Sequence, residues 1–206
     1  MYTEHKTASQ NDLFSLNVAD GDTYQKDLIE EAYGQLLEMV HRHDQIHVMS
    51  FVLDGFDSIN DDQVKKTIKK LSQSNEAYQS TGQPAWVFYK TRNDNFVQYR
   101  VLLCVPVAGV HSDAVYRQYL VEVIGQSIKP SGVLSLLLDK RDTNFEFLSY
   151  SILDHFMRES YLEEGQEMMA YASSGLELSQ ATKETMLAPD TELNEFLSRF
   201  ERILNA

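Results

Sequence analysis

The chain has 206 residues, of which 43% are hydrophobic and 24% are charged, and its formal net charge is -13. This size and composition predict one globular domain with peripheral helices rather than two small domains. No apolar run approaches the roughly 20 residues of a membrane helix, and the N-terminal sequence lacks the order of a signal peptide, so we expect no membrane contact and a cytoplasmic location.

The charge is spread unevenly along the chain. Residues 1–39 contain 2 basic and 8 acidic side chains, residues 40–141 contain 12 and 10, and residues 142–206 contain 4 and 13. Since affinity for phosphate comes from excess Lys and Arg, the total charge argues against an ordinary nucleic-acid-binding protein. Two interpretations remain open, namely a DNA-contacting middle with acidic flanks, or an acidic surface that a partner recognises.

Hydrophobic periodicity and turn residues predict the elements in chain order. A flexible N-terminus, residues 1–22, precedes an α+β domain at 23–170, a polar linker at 171–190 and an amphipathic C-terminal helix at 191–206. Within the domain we predict a helix at 23–43, a central strand at 45–56, a helix at 61–78, a hairpin of strands at 85–92 and 96–107, a helix at 112–128, a short buried strand at 132–140, and one long or two broken helices at 145–171.

Without the first helix and the tail, this order is strand, helix, strand, strand, helix, strand. It predicts a ferredoxin-like split βαβ fold, βαββαβ, with an antiparallel sheet and additional N- and C-terminal helices. The third strand is central in that topology, and alternation along it assigns its side chains to two faces. Val97, Tyr99, Val101, Leu103 and Val105 are expected beneath the crossover helices, and Phe96, Gln98, Arg100, Leu102 and Cys104 on the opposite face.

Two stretches, "HRHDQIHVMSFVLDGF" and "PAWVFYKTRNDNFVQYRVLLCVPVAG", resemble the YagK/YfjJ family, the inoviral replication-initiation proteins of the HUH endonuclease class. The resemblance covers residues 40 to 165, by pattern and order more than by identity. It implies a divalent metal, held by two histidines and a carboxylate, that polarises a phosphate while a tyrosine attacks it.

The chain departs from that family at its catalytic positions. Gln98 and Arg100 stand at the two histidine positions, and Thr91 stands at the carboxylate position. An Arg side chain cannot ligate a metal, because it has no lone pair to give and does not deprotonate. The tyrosine position corresponds to Tyr161, which Glu163 and Glu164 follow where the family tends to have a Lys. We therefore predict a degenerate member of the family, with no metal and no cofactor.

The retained scaffold predicts a nucleic-acid surface instead. Arg100 is expected to bind phosphate beside Gln98, or alternatively to pair with an acidic residue of the long helix, such as Glu163. The basic side chains expected to assist it are Lys90, Arg92, Lys65, Lys66, Lys69 and Lys70. The four helix lysines have a plainer alternative, a solvated helix face.

Other residue patterns carry less functional information. His41, His43 and His47 straddle a helix end and a strand start, so their side chains need not converge on a metal. Cys104 is expected to be a small buried thiol within an apolar strand. One apolar stripe in the C-terminal helix is expected either to dock on its own domain or to form a partner interface in a homodimer. That stripe consists of Leu193, Phe196, Leu197, Phe200, Ile203 and Leu204.

The first functional hypothesis is a catalytically inactive HUH-like replication initiator of a mobile element that binds DNA or a replication partner. The alternative is an acidic phage or prophage inhibitor that mimics DNA and binds a host or anti-phage defence protein. A third possibility, retained nicking, would use Tyr161 as the nucleophile and leave a covalent protein–DNA adduct.

Overall fold

The computed structural model describes residues 14–15, 23–55, 59–73, 78–93, 96–110, 113–127, 130–159, 167–173 and 175–188. They form an α+β fold in which five helices surround an antiparallel sheet. The helices are α1 (Thr23–Arg42), α2 (Asp61–Leu71), α3 (Asp113–Ser127), α4 (Phe145–Glu159) and α5 (Gln180–Leu187). The strands are β1 (Phe14–Ser15), β2 (Gln45–Gly55), β3 (Tyr78–Ser80), β4 (Ala85–Asn93), β5 (Phe96–Val110), β6 (Gly132–Asp139) and β7 (Glu167–Ala172).

Six strands follow one another across the sheet in the order β1-β7-β4-β5-β2-β6, and β3 pairs separately with β5. Every strand pair is antiparallel. The prediction that the strand carrying Gln98 and Arg100 is central is confirmed, because β5 pairs with β4 on one side and β2 on the other.

The two faces of the sheet carry separate layers of core residues. On one face α1 and α4 pack against inward residues such as Val48, Val87 and Leu102. On the other face α2 and α3 pack against Phe51, Phe88 and Val101. Since successive strand residues point to opposite faces, each central strand supplies both layers. The predicted alternation along β5 is confirmed for Tyr99, Val101, Leu103 and Val105 on the α2 side and for Leu102 and Cys104 on the other.

Local sequence accounts for the start of α2. The Asn60 side chain accepts a hydrogen bond from the Gln63 N–H at 3.0 Å, and the Gln63 side chain accepts one from the Asn60 N–H at 2.9 Å. This reciprocal capping box satisfies two backbone donors that the first helical turn leaves unpaired. Val64, Ile68 and Leu71 then form the buried stripe, and Lys66, Lys69 and Lys70 are exposed on the other face as predicted.

Three element predictions are wrong. Residues 167–172 form strand β7, paired with β4, where a helix was expected. Strand β6 is an edge strand with exposed residues rather than a buried one, because only β2 pairs with it among the described residues. The expected polar linker at 171–190 contains the end of β7 and helix α5, and its polar groups bond to α1.

The C-terminal part of the described chain is held on α1 by several hydrogen bonds. The Gln35 side chain donates to the Leu176 carbonyl and accepts from the Leu176 N–H. The Glu38 carboxylate accepts from the Ser179 N–H and the Thr182 hydroxyl, both at 2.7 Å. Gly34 permits the close packing, since a Cβ atom there would meet Leu178 and Met186 side-chain atoms at 2.9 Å.

Candidate nucleic-acid interface

A row of polar side chains crosses β2, β5 and β4 on the sheet face that α1 and α4 cover. Gln98 lies opposite Asp54 of β2 and opposite Thr91 of β4. Its amide donates to the Asp54 carboxylate at 2.8 Å, and Arg100 Nε donates to the Gln98 amide oxygen at 2.8 Å. The three positions that the family resemblance assigns to metal ligands are therefore adjacent on one face.

The donor chemistry of this row does not fit a divalent metal. Arg100 supplies only N–H donors, and the amide oxygen of Gln98 is already an acceptor for Arg100. Thr91 provides a neutral, buried hydroxyl where a carboxylate would be needed. Among the described residues no group of three or more His, Cys, Asp or Glu side chains is placed to hold a metal ion. The row is a hydrogen-bonded chain that orients the Arg100 guanidinium.

Helix α4 lies over the same face. Across from Arg100, the Tyr89 ring is buried and stacks on Phe156 of α4, with ring centroids 5.3 Å apart. Arg100 itself is half-buried. Its predicted partner Glu163, with Tyr161 and Glu164, lies outside the described residues.

Lys90 lies on the opposite face of the sheet, so the expectation that it assists Arg100 is wrong. Its ammonium bonds to Asp61 of α2 at 2.8 Å and lies 5.6 Å from the centre of the Tyr99 ring. Arg92 is two residues further along β4 and shares that side, where it is exposed. The physical reason is the two-residue period of a strand, which sends Tyr89 and Thr91 to the Arg100 face and their neighbours away from it.

The lysines of α2 divide into two kinds. Lys66, Lys69 and Lys70 are exposed. Lys65 is half-buried, with its ammonium 4.9 Å from the centre of the Tyr171 ring. The three exposed lysines form the basic α2 face, which is separated from Gln98 and Arg100 by the thickness of the sheet. The structure thus distributes the predicted nucleic-acid-binding residues over two surfaces.

One polar cluster beneath α2 was not predicted. The Asp61 carboxylate accepts hydrogen bonds from Tyr99 Oη at 2.7 Å, from Tyr171 Oη at 2.6 Å and from Lys90 Nζ. Burial alone would raise the pKa of Asp61, but the bonds from Lys90, Tyr171 and Tyr99 hold it below its ordinary value. Burial, and then the bond to Asp61, raise the pKa of both tyrosines. These groups anchor the start of α2 on strands β4, β5 and β7.

The three histidines lie in different surroundings. The His41 ring bonds to Thr182 of α5 at 2.8 Å and to Tyr150 of α4 at 2.7 Å. The His47 ring is buried, with Nε2 lying 3.3 Å from the hydroxyl of Ser135 on β6. Burial, followed by the charges of Arg42 and Lys140, lowers the pKa of His43. The two ring hydrogen bonds of His41 therefore join α1 to α4 and α5.

Comparisons with known proteins add no relative. No family model, no curated protein and no solved structure matches the chain.

Among the described residues, no helix has the length and apolar character needed to cross a membrane. The C-terminal stripe from Leu193 to Leu204, expected to be a partner interface, lies outside the described residues.

Proposed function

We propose that this protein is a non-catalytic, HUH-like replication-initiator scaffold of a mobile element that regulates by binding DNA. The observation that carries the proposal is the bonded row formed by Asp54 of β2 with Gln98 and Arg100 of the central strand β5. The row corresponds to the place where enzymes of the family that the sequence resembles are expected to hold a metal, and it offers a guanidinium, a phosphate-binding group, instead of metal ligands.

We also propose that four of the strands and two of the helices form a ferredoxin-like unit. Strands β4, β5, β2 and β6 are adjacent in that order, and α2 and α3 pack together on one face. This arrangement supports a ferredoxin-like split βαβ unit, to which α1, α4, α5 and β7 are added. In such a unit β2 and β4 are the two parallel strands of the split βαβ motif, and β5 lies between them. The polar row therefore lies on a central strand of the unit.

The basic α2 face is the surface best suited to a nucleic-acid backbone. Its side chains Lys66, Lys69 and Lys70 are exposed, and Arg92 of β4 is exposed on the same side of the sheet. Phosphate contacts of this kind fix the position of a protein on DNA without reading sequence. The net charge of -13 opposes binding over the rest of the surface, so we expect weak binding that depends on salt.

The test is fluorescence anisotropy with labelled single-stranded and hairpin DNA over a series of salt concentrations. Three variants separate the two surfaces: Arg100→Ala, the triple change K66Q/K69Q/K70Q, and Lys183→Gln on α5 as the control with an exposed lysine elsewhere. The triple variant should weaken binding and make the slope of log K against log salt shallower by about 2 for single strands. Lys183→Gln should leave the slope unchanged.

The Arg100→Ala arm tests the polar row. Loss of binding with an intact fold would place DNA on the row as well as on α2, and unchanged binding would restrict it to the basic α2 face. No binding at low salt would contradict the proposal and favour the acidic inhibitor. A covalent DNA adduct that disappears in Tyr161→Phe would contradict its non-catalytic part.

A further inference from the structure

The outer edge of β6 is an apolar surface that no described strand covers. The described residues include six exposed large hydrophobic side chains, and all but Leu187 belong to β6 or to α3 and α4, the helices that contact it. These five residues are Val121, Val133, Leu134, Phe147 and Leu148. Val121, Val133 and Leu134 line a shared groove of about 180 Å³ together with Leu120 and Ser135.

Strand β6 also lacks the features that usually prevent edge pairing. It pairs with β2 along its whole length, from Gly132 to Asp139, without a shift in register. Between Gly132 and Leu138 it contains no charged residue and no proline. Natural edge strands are normally protected by lysines, prolines, bulges or a covering segment. Among the residues that the structure describes, nothing in the shape or chemistry of this edge therefore prevents it from pairing with another strand.

We infer that β6 pairs with β6 of a second copy of this chain, in antiparallel orientation about a twofold axis. Two identical strands can pair in antiparallel orientation across a twofold axis, since residue i of one copy meets residue j of the other and residue j meets residue i. The sheet then continues through both copies, and the exposed Val133 and Leu134 are buried.

The charge along β6 favours a second copy of this chain over a strongly basic or acidic partner. Between Gly132 and Leu138 the strand is neutral, and Asp139 at its end is already bonded to Gln45 and Arg141 within its own chain. A basic or acidic partner would find no countercharge along the strand. Two copies that each carry -13 repel through most of their surfaces, and a neutral apolar edge is a place where they can meet.

The test is sedimentation velocity on the full chain between about 1 and 200 µM, with Leu134→Lys as the disrupting variant. Leu187→Lys is the matched control, because Leu187 is 81% exposed and lies on α5. The wild type should dimerise, Leu134→Lys should weaken the dimer at least about tenfold, and Leu187→Lys should leave it intact. Added salt should strengthen the dimer by screening the repulsion, which is the opposite of its expected effect on DNA binding.

Hydrogen exchange on the wild type gives a readout that needs no variant. Amides of residues 132–138 should become more protected as the protein concentration rises, while those of 180–187 should not change. A chain that stays monomeric over the whole range overturns the inference. So does a dimer that Leu197→Lys dissociates and Leu134→Lys does not, since that result assigns the contact to the C-terminal stripe.

Discussion

Cys104 illustrates how position in the sheet controls the chemistry of one residue. It is the only cysteine of the chain and lies fully buried on β5, in the layer beneath α1. The thiolate is the reactive form of cysteine, and burial raises the pKa of this thiol to about 12. The prediction of a small buried thiol is confirmed.

We expect Cys104 to resist a thiol reagent at pH 8 in the native protein. The same reagent should modify one thiol per chain after addition of denaturant, because unfolding exposes the side chain and returns its pKa toward 9.0. With a reagent that releases a coloured product on reaction with a thiol, absorbance measures the reaction in the native and in the denatured protein. Equal rates in the native and denatured protein would contradict the burial.

Asp61 is the residue whose substitution should affect stability most clearly on the α2 side. Asp61→Asn removes the charge that Lys90, Tyr99 and Tyr171 share, and bonds to a charged group contribute about 1.5–3 kcal/mol. We expect the free energy of unfolding in urea to fall by about 2 kcal/mol. Asp62→Asn is the control, because Asp62 occupies the same helical turn and is exposed. Equal losses in the two variants would assign the effect to the helix dipole alone.

At the scale of elements, the attachment of α5 to α1 depends on Glu38. This side chain is 3% exposed, and it accepts hydrogen bonds from Arg42, Ser179 and Thr182. Thr182 also bonds to His41. The Glu38 carboxylate therefore orients side chains of both α1 and α5. Glu38→Gln should loosen residues 176–188, seen as faster hydrogen exchange there with α2 unchanged. Glu31→Gln, an exposed position on the same helix, should have no such effect.

Glu38 also predicts how stability depends on pH. Burial alone would raise its pKa, but the bonds from Ser179, Thr182 and Arg42 lower it from 4.5 to about 2. A carboxyl group with a depressed pKa contributes stability above its unfolded pKa and loses it as the pH falls through the folded value. As the pH is lowered from 4.5 to about 2, the urea concentration at the midpoint of unfolding should therefore decrease. This decrease should be smaller in Glu38→Gln. Identical pH profiles for the two proteins would contradict this.

Element prediction succeeded where periodicity is local and failed where tertiary pairing decides. The alternation of β5 placed Gln98 and Arg100 on the correct face, and the stripe and capping residues of α2 indicated its buried side. The sequence "EMMAYA" of β7 contains Met and Ala, which favour helix, and only its pairing with β4 makes it a strand. The same alternation rule could have separated Lys90 and Arg92 from Arg100. No local rule could join Asp61 to Tyr171, which is 110 residues away.

At the scale of the whole molecule, the two core layers share one sheet. Tyr89, Leu102 and Cys104 belong to the α1 layer, and their neighbours Phe88, Val101 and Leu103 belong to the α2 layer. Loss of either layer exposes one face of every central strand, so neither is expected to persist without the other. Cooperative unfolding of both layers is therefore the expected behaviour.

Leu36→Ala tests that coupling. Leu36 lies on α1 and is 1% exposed, so its truncation should lower the free energy of unfolding by about 2–5 kcal/mol. The only tryptophan, Trp86, belongs to the other layer, beneath α2 and α3. If the layers unfold together, Trp86 fluorescence and far-UV circular dichroism should shift to the same lower urea midpoint. Leu187→Ala, at an 81% exposed position, should shift neither signal. A fluorescence midpoint that stays at the wild-type value while the dichroism midpoint falls would mean that the α2 layer is stable alone, because strands held on one face would then suffice to keep Trp86 buried.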